Sequence, residues 1–146
     1  MQAAAAPQAT GRILVVEDDP AAARFASYVL GERAGFAITQ LTDPVVAIER
    51  VECERWDLLL ADLDLPHMSG LDLLASVRRI APPLPFLLTT ATALEPAAIR
   101  SLRRRADAFL QKPIPAQRLI AVAAALIASG RGPGPADAAD LPGSAS

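Results

Sequence analysis

The chain has 146 residues, with 14 Lys and Arg against 16 Asp and Glu and a formal net charge of −2. That length suits one domain with its own core, and the near-neutral balance excludes a global pull toward nucleic acid or an anionic membrane. Hydrophobic residues make up 52% of the chain and aromatics only 4%, which fits aliphatic helices packed on a sheet.

Residues 1–11 are Ala, Gln and Pro with no basic n-region or long apolar stretch, so they read as a disordered tail rather than a signal or anchor. The run Arg12–Val16 is the first strand, and Glu17-Asp18-Asp19 follows it. Asp19-Pro20 opens a helix, Asp as the N-cap and Pro in the first turn, and Gly35 stops it. Phe36–Leu41 is β-like, and Asp43-Pro44 starts a second helix with Val45, Ile48 and Val51 about a turn apart. Cys53, the single cysteine, excludes an intrachain disulfide, fits a reducing cytosol and reads as a small apolar helix residue. The expected location is cytoplasmic.

Asp57–Ala61 is a continuous apolar run, as in a strand covered on both faces. Pro66–Gly70 is a loop, and Leu73, Val77 and Ile80 mark a third helix that Pro82-Pro83 ends. Leu84–Thr89 is the fourth strand, Glu95-Pro96 starts the fourth helix, and Ala108–Gln111 is a short fifth strand. Pro115 begins a last helix that runs to Gly130 as its C-cap. Residues 130–146 are Gly, Pro, Ala, Ser and Asp with almost nothing to bury, a second disordered tail around a domain at 12–129.

Five strand-then-helix units imply a parallel sheet with right-handed crossovers. The expected fold is an α/β, flavodoxin-like doubly wound (βα)5 sandwich, strand order 2-1-3-4-5, with its site at the carboxyl edge of the sheet. Four strand ends place polar groups there: Glu17 and Asp18, then Asp62, Thr90 and Lys112. Asp62 is the candidate nucleophile, since carboxylates form aspartyl phosphates; the plain alternative is a loop-capping Asp. Carboxylates packed at one edge repel each other, and Mg²⁺ with its preference for hard oxygen ligands relieves that cost. Asp18 and Asp62 are the expected direct ligands, Glu17 acts through a water, and Asp64 adds its backbone carbonyl. Lys112 supplies a mobile point charge for a phosphoryl oxygen. Pro113 is a candidate for a cis bond that aims the lysine inward. Thr90 supplies a hydroxyl, with Thr89 as the alternative, and Ala91 leaves a phosphoryl donor a way in.

The stretches ILVVEDDP, LLLADLDLPHMSGLDLL, FLLTTATA and ADAFLQKPIP resemble the receiver domain of two-component response regulators, of the chemotaxis-regulator kind, over about Arg12 to Ser129. The resemblance implies that Asp62 is the phosphoacceptor for a histidine kinase or phosphotransfer protein in a phosphorelay, with Mg²⁺. It implies that Glu17 and Asp18 form the acidic pocket, that Thr90 is the switch hydroxyl, and that Lys112 contacts the phosphate. Phe109 becomes the switch aromatic, and Asp64 and Thr92 hold positions that tune the phosphoryl lifetime. In such domains phosphorylation draws the Thr inward, turns the aromatic in, and remodels the face made by the fourth helix, fifth strand and fifth helix for partner binding or dimerisation. Phe109 lacks the hydroxyl of the Tyr also common there, so packing alone reads the switch. Two departures are Arg105, where Gly is frequent, and His67, which replaces the Gly of a Pro-Gly-Met loop and reads as a solvated loop residue.

Arg100, Arg103, Arg104 and Arg105 read as a solvated helix end matched to the helix dipole; direct nucleic-acid binding is not expected, and a protein contact is left open. In the fifth helix Leu119, Val122, Ala123 and Leu126 suffice for the core, and Ile120, Ala124 and Ile127 widen the apolar stripe. That widening is either plain Ala-rich sequence or a homodimer or partner interface. Two rival readings are a pseudo-receiver used only for binding and a haloacid-dehalogenase-type phosphatase built on Asp62-Leu63-Asp64. The second is disfavoured because two acids precede the Asp pair and the chain is short for a cap domain.

Overall fold

A computed structural model describes residues 10–130. The expected tails, at residues 1–9 and 131–146, lie outside the described residues. The elements are β1 (Arg12–Val16), α1 (Pro20–Ser27), β2 (Ala37–Leu41), α2 (Pro44–Cys53), β3 (Leu58–Asp62), α3 (Gly70–Ile80), β4 (Phe86–Thr90), α4 (Pro96–Arg105), β5 (Ala108–Gln111) and α5 (Ala116–Ala128). A π-helical segment, Tyr28–Arg33, continues α1. The five strands are parallel in the order β2-β1-β3-β4-β5, the flavodoxin-like order expected from the strand–helix rhythm. β1 and β5 have the expected bounds, and three strands differ from theirs by one or two residues: β2 starts at Ala37, β3 runs from Leu58 through Asp62, and β4 from Phe86 through Thr90.

Local chemistry sets the helix starts. Asp19 Oδ2 accepts from the Ala22 N–H at 3.2 Å and Asp43 Oδ1 from the Val45 N–H at 2.8 Å, each just before a proline that has no N–H to satisfy. Ser69 and Asp72 cap each other reciprocally at the start of α3, in a capping box. At the far end of the first helix, Gly35 takes φ +91 and donates to Gly31 O at 2.9 Å, a conformation that disfavours residues with a Cβ.

The sheet carries a core on each face. On one side Leu14, Leu59, Phe86, Leu88 and Phe109 meet α2, α3 and α4. On the other Ile13, Val15, Leu58, Leu87 and Leu110 meet α1 and α5. Ile120, Ala124 and Ile127 pack on the edge of this second core and are half-buried within one chain. The wide stripe on α5 is therefore in large part the flank of the domain's own core.

Asp107, which the sequence reading passed over, joins three elements. Its Oδ2 accepts from the Phe86 N–H at 2.8 Å and from Arg78 at 2.9 Å, and Arg78 also donates to Leu84 O at 2.9 Å. Asp107 is 7% exposed. Asp107→Ala leaves a buried N–H and a half-buried guanidinium without their shared acceptor, so unfolding in urea should show a loss of about 2–4 kcal/mol. A loss below about 0.5 kcal/mol, the scale of an ordinary surface change, would contradict this role.

Candidate functional site

Three carboxyl strand ends converge through one ammonium. Glu17 follows the last residue of β1, its backbone fixed by a 2.9 Å bond from its N–H to Leu41 O. Asp62 ends β3, and Lys112 follows β5 with its N–H on Thr90 O at 2.8 Å. The Lys112 Nζ lies 2.7 Å from Glu17 Oε1 and 2.6 Å from Asp62 Oδ2. Glu17 and Asp62 are each 6% exposed. The Lys112–Pro113 peptide bond is cis.

Both remaining carboxylate oxygens are also held. Asp62 Oδ1 accepts from the Asp64 N–H at 2.7 Å, and Glu17 Oε2 from the Asp19 N–H at 3.2 Å. Among the described residues, the one buried side-chain N or O without a partner is Arg103 Nε, on α4, so no buried polar atom of this site is orphaned.

Two carboxylates share one ammonium, which leaves the buried trio with a net charge of −1. Burial raises the Glu17 pKa, with the Asp62 charge acting in the same direction against the Lys112 and Asp19 hydrogen bonds. Burial alone would lower the Lys112 pKa, but its hydrogen bonds to Asp62 and Glu17 outweigh this and the net direction is up. Lys112 is thus held protonated, and a further positive charge at this edge is favoured.

The other residues take distinct places. Thr90 ends β4 with no exposed surface; its Oγ1 donates to Asp64 Oδ2 at 2.9 Å and accepts from the Thr92 N–H at 3.1 Å. The Thr92 hydroxyl donates to the same Asp64 oxygen at 3.0 Å. Thr89, beside Asp62 in the β3–β4 register, lines a largely apolar cavity of about 300 Å³ with Asp62, Lys112, Ala22 and Phe25. Ala91 is exposed. Phe109 is 1% exposed within the core that meets α3 and α4.

Asp18 is the expected site residue that does not join this cluster. It is exposed and lines a separate groove with Asp64, Pro66, His67, Met68 and Asp72. No group of three His, Cys, Asp or Glu side chains among the described residues is gathered closely enough to hold a metal ion. The arrangement of the trio gives the reason: the lysine ammonium occupies one oxygen each of Glu17 and Asp62, and Asp18 is exposed on the other side. The donors nonetheless suit a hard divalent cation, being carboxylate and carbonyl oxygens around an edge short of positive charge.

Two further residues matter here. Gly70 opens α3 against the end of β3: a Cβ there would lie 2.5 Å from Asp62 O, 2.8 Å from Leu88 Cδ2 and 2.9 Å from Leu63 Cα. The signal for it was the Ser-Gly pair ahead of an apolar helix, but the close approach itself depends on β3 and β4. His67 has φ +69, alone among the described non-glycine residues in that region. The departure from Gly at this position is therefore a backbone matter, of about 1–2 kcal/mol for a residue with a Cβ.

The response regulator receiver domain profile matches residues 13–124 of the chain. The chain is 35% identical over 108 residues to the probable transcriptional regulatory protein TcrX of Mycobacterium tuberculosis, spanning 74% of this chain and 46% of that protein. It is 37% identical over 111 residues to the DNA-binding response regulator MtrA of Mycolicibacterium smegmatis, spanning 75% and 47%. The chain thus spans about half the length of these curated relatives. Among solved structures, the receiver domain of the sensor histidine kinase PA1611 of Pseudomonas aeruginosa superposes with a TM-score of 0.73 at 26% identity, covering 82% of this chain and 99% of that one. That structure holds a magnesium ion in its active-site cleft. The signal receiver domain of a LuxO repressor protein from Vibrio parahaemolyticus superposes with a TM-score of 0.74 at 28% identity, covering 83% and 92%.

Proposed function

The chain belongs to the response regulator receiver family, and from that premise we propose that it is a signalling switch in which Asp62 accepts a phosphoryl group from the histidine of a kinase or phosphotransfer protein. The observation that carries this reading is the buried Asp62 carboxylate with the Lys112 ammonium at 2.6 Å. The Asp64 N–H fixes one Asp62 oxygen through rigid backbone. The other is held by a flexible lysine that can move off it, and this is the oxygen we assign to the attack. It forms the new O–P bond as the N–P bond of the phosphohistidine breaks, and the leaving imidazole keeps the electron pair and takes a proton from water. Lys112 then moves from the carboxylate to a phosphoryl oxygen, as a point charge on a flexible stem can.

Mg²⁺, bound by Asp18, Asp62 and the Asp64 carbonyl with Glu17 acting through a water, would supply the charge that the added phosphoryl group demands. Its binding requires Asp18 to turn toward Asp62. Thr90 and the backbone N–H groups of the edge then meet the phosphoryl oxygens. The readout is the face built from α4, β5 and α5, where Arg100, Arg104 and Arg105 are exposed, and its occupant is a partner protein or a second copy. Among the described residues no helix is long and apolar enough to cross a membrane.

The test is intact mass after incubation with acetyl phosphate. One phosphoryl group per chain should appear with Mg²⁺ and vanish when the metal is chelated; no adduct with Mg²⁺, or the same adduct after chelation, would overturn the proposal. Trp56 is a poor optical reporter of this event. It lies two residues before β3, at the opposite edge of the sheet, stacked under Arg12 with its ring N–H on Arg50 O.

A further inference from the structure

We propose that the Asp64 side chain is a latch on Thr90: its carboxylate holds the one hydroxyl proton that the phosphoryl group must later receive. This rests on the phosphoacceptor reading of Asp62 and adds to it a step of regulation. A threonine hydroxyl has a single proton to donate. Thr90 donates that proton to Asp64 Oδ2 at 2.9 Å and accepts from the Thr92 N–H at 3.1 Å. Thr90 has no exposed surface, so its hydroxyl finds no water in place of Asp64, whereas Asp64 and Thr92 are exposed and water can take its place on them when it leaves. A phosphoryl oxygen on Asp62 therefore competes with an ionised carboxylate for the same proton, and hydrogen bonds to ionised acceptors are the strong ones.

The geometry makes the competition specific. The Asp64 N–H is tied to Asp62 Oδ1 at 2.7 Å, so the backbone of Asp64 is fixed to the phosphoacceptor while its side chain reaches across to β4. Thr92 donates to the same Asp64 oxygen at 3.0 Å, which steadies the acceptor and leaves it partnered when Thr90 departs. The loop after β3 thus holds both ends of the switch: one bond presents Asp62, and the other restrains the hydroxyl that answers it. Phe109 is buried, and release of Thr90 from Asp64 is the discrete event that the latch assigns to phosphorylation. A ligand shifts such an equilibrium only by its differential affinity for the two states, and the latch subtracts from that difference.

The experiment titrates the intact chain with beryllofluoride and Mg²⁺, followed by NMR, for the wild type, Asp64→Ala, Thr90→Val and the double variant. Removing the acceptor should tighten beryllofluoride binding about tenfold, the scale of one hydrogen bond to a charged group. In the Thr90→Val background, Asp64→Ala should change nothing. Equal tightening in both backgrounds would show that the Asp64 charge acts through space, and no tightening in either would show that the bond restrains nothing; each result overturns the latch. A second measurement needs no Thr90 variant. Scalar couplings of the Thr90 side chain should report one rotamer in the analogue-free wild type and averaging in Asp64→Ala, and an unchanged single rotamer in the variant also overturns it. If the wild type binds beryllofluoride while the Asp64 series is flat, the latch alone falls. If the wild type does not bind it at all, the phosphoacceptor reading falls and takes the latch with it.

Discussion

Asp62→Asn is expected to abolish phosphoryl uptake from acetyl phosphate and from a histidine kinase, with the fold retained. The amide has nearly the shape of the carboxylate, and its oxygen can still accept the 2.7 Å bond from the Asp64 N–H. What it loses is the anionic oxygen now 2.6 Å from Lys112 Nζ, the atom assigned to the attack on phosphorus. Lys112 keeps Glu17 at 2.7 Å, and Glu17 loses the repulsion that the Asp62 charge adds to its burial. One paired charge is removed while one like-charge contact is relieved, but the buried amide nitrogen then faces the Lys112 ammonium, so the variant should lose about 1–3 kcal/mol and stay folded. Intact mass then separates the outcomes: no adduct on a folded variant agrees with the proposal, whereas an adduct at the wild-type level places the phosphoryl group elsewhere and removes Asp62 from its role.

Gly70→Ala should lower stability by about 3 kcal/mol, at the upper end for one added methyl group in a packed site. Helix propensity argues for the opposite sign, since Ala in a helix is favoured over Gly by about 1 kcal/mol. The contacts decide which effect wins. The new Cβ would meet the Asp62 carbonyl at 2.5 Å and Leu63 Cα at 2.9 Å, both backbone, and only the Leu88 methyl at 2.8 Å belongs to a side chain that can yield. Relief therefore comes from moving α3 or the end of β3, and the latter carries Asp62. A lower urea midpoint with an unchanged m-value is expected, together with slower phosphorylation of the folded fraction. A midpoint equal to or above that of the wild type would mean that the backbone yields freely at this contact.

Much of the architecture was legible because its causes are local. The caps at Asp19 and Asp43 act within three residues, and the apolar runs of β1, β3 and β4 follow from strands covered on both faces. Strand ends were less sharp: a run such as Leu58–Ala61 continues into the polar Asp62 without a break in backbone pairing, and hydrophobicity alone does not mark where pairing stops. The wide apolar stripe on α5 was open to two readings because periodicity counts apolar positions without showing what covers them. Packing answers in part for the chain's own core, with Ile120, Ala124 and Ile127 on its flank.

The sequence by itself determined the parallel α/β class and which residue types stand at the carboxyl edge of the sheet, because both depend on short-range periodicity and on where apolar runs end. The tertiary structure alone decided how those groups meet. Lys112 reaches Glu17 across 95 residues of chain and Asp62 across 50, which seats an ammonium between two acids and leaves Asp18 in solvent. It also hung Thr90 on Asp64 and brought Asp107 under Phe86. Hydrogen bonds and charges act over a few ångströms of space, and only the crossovers of the sheet bring residues this far apart in the chain within that range.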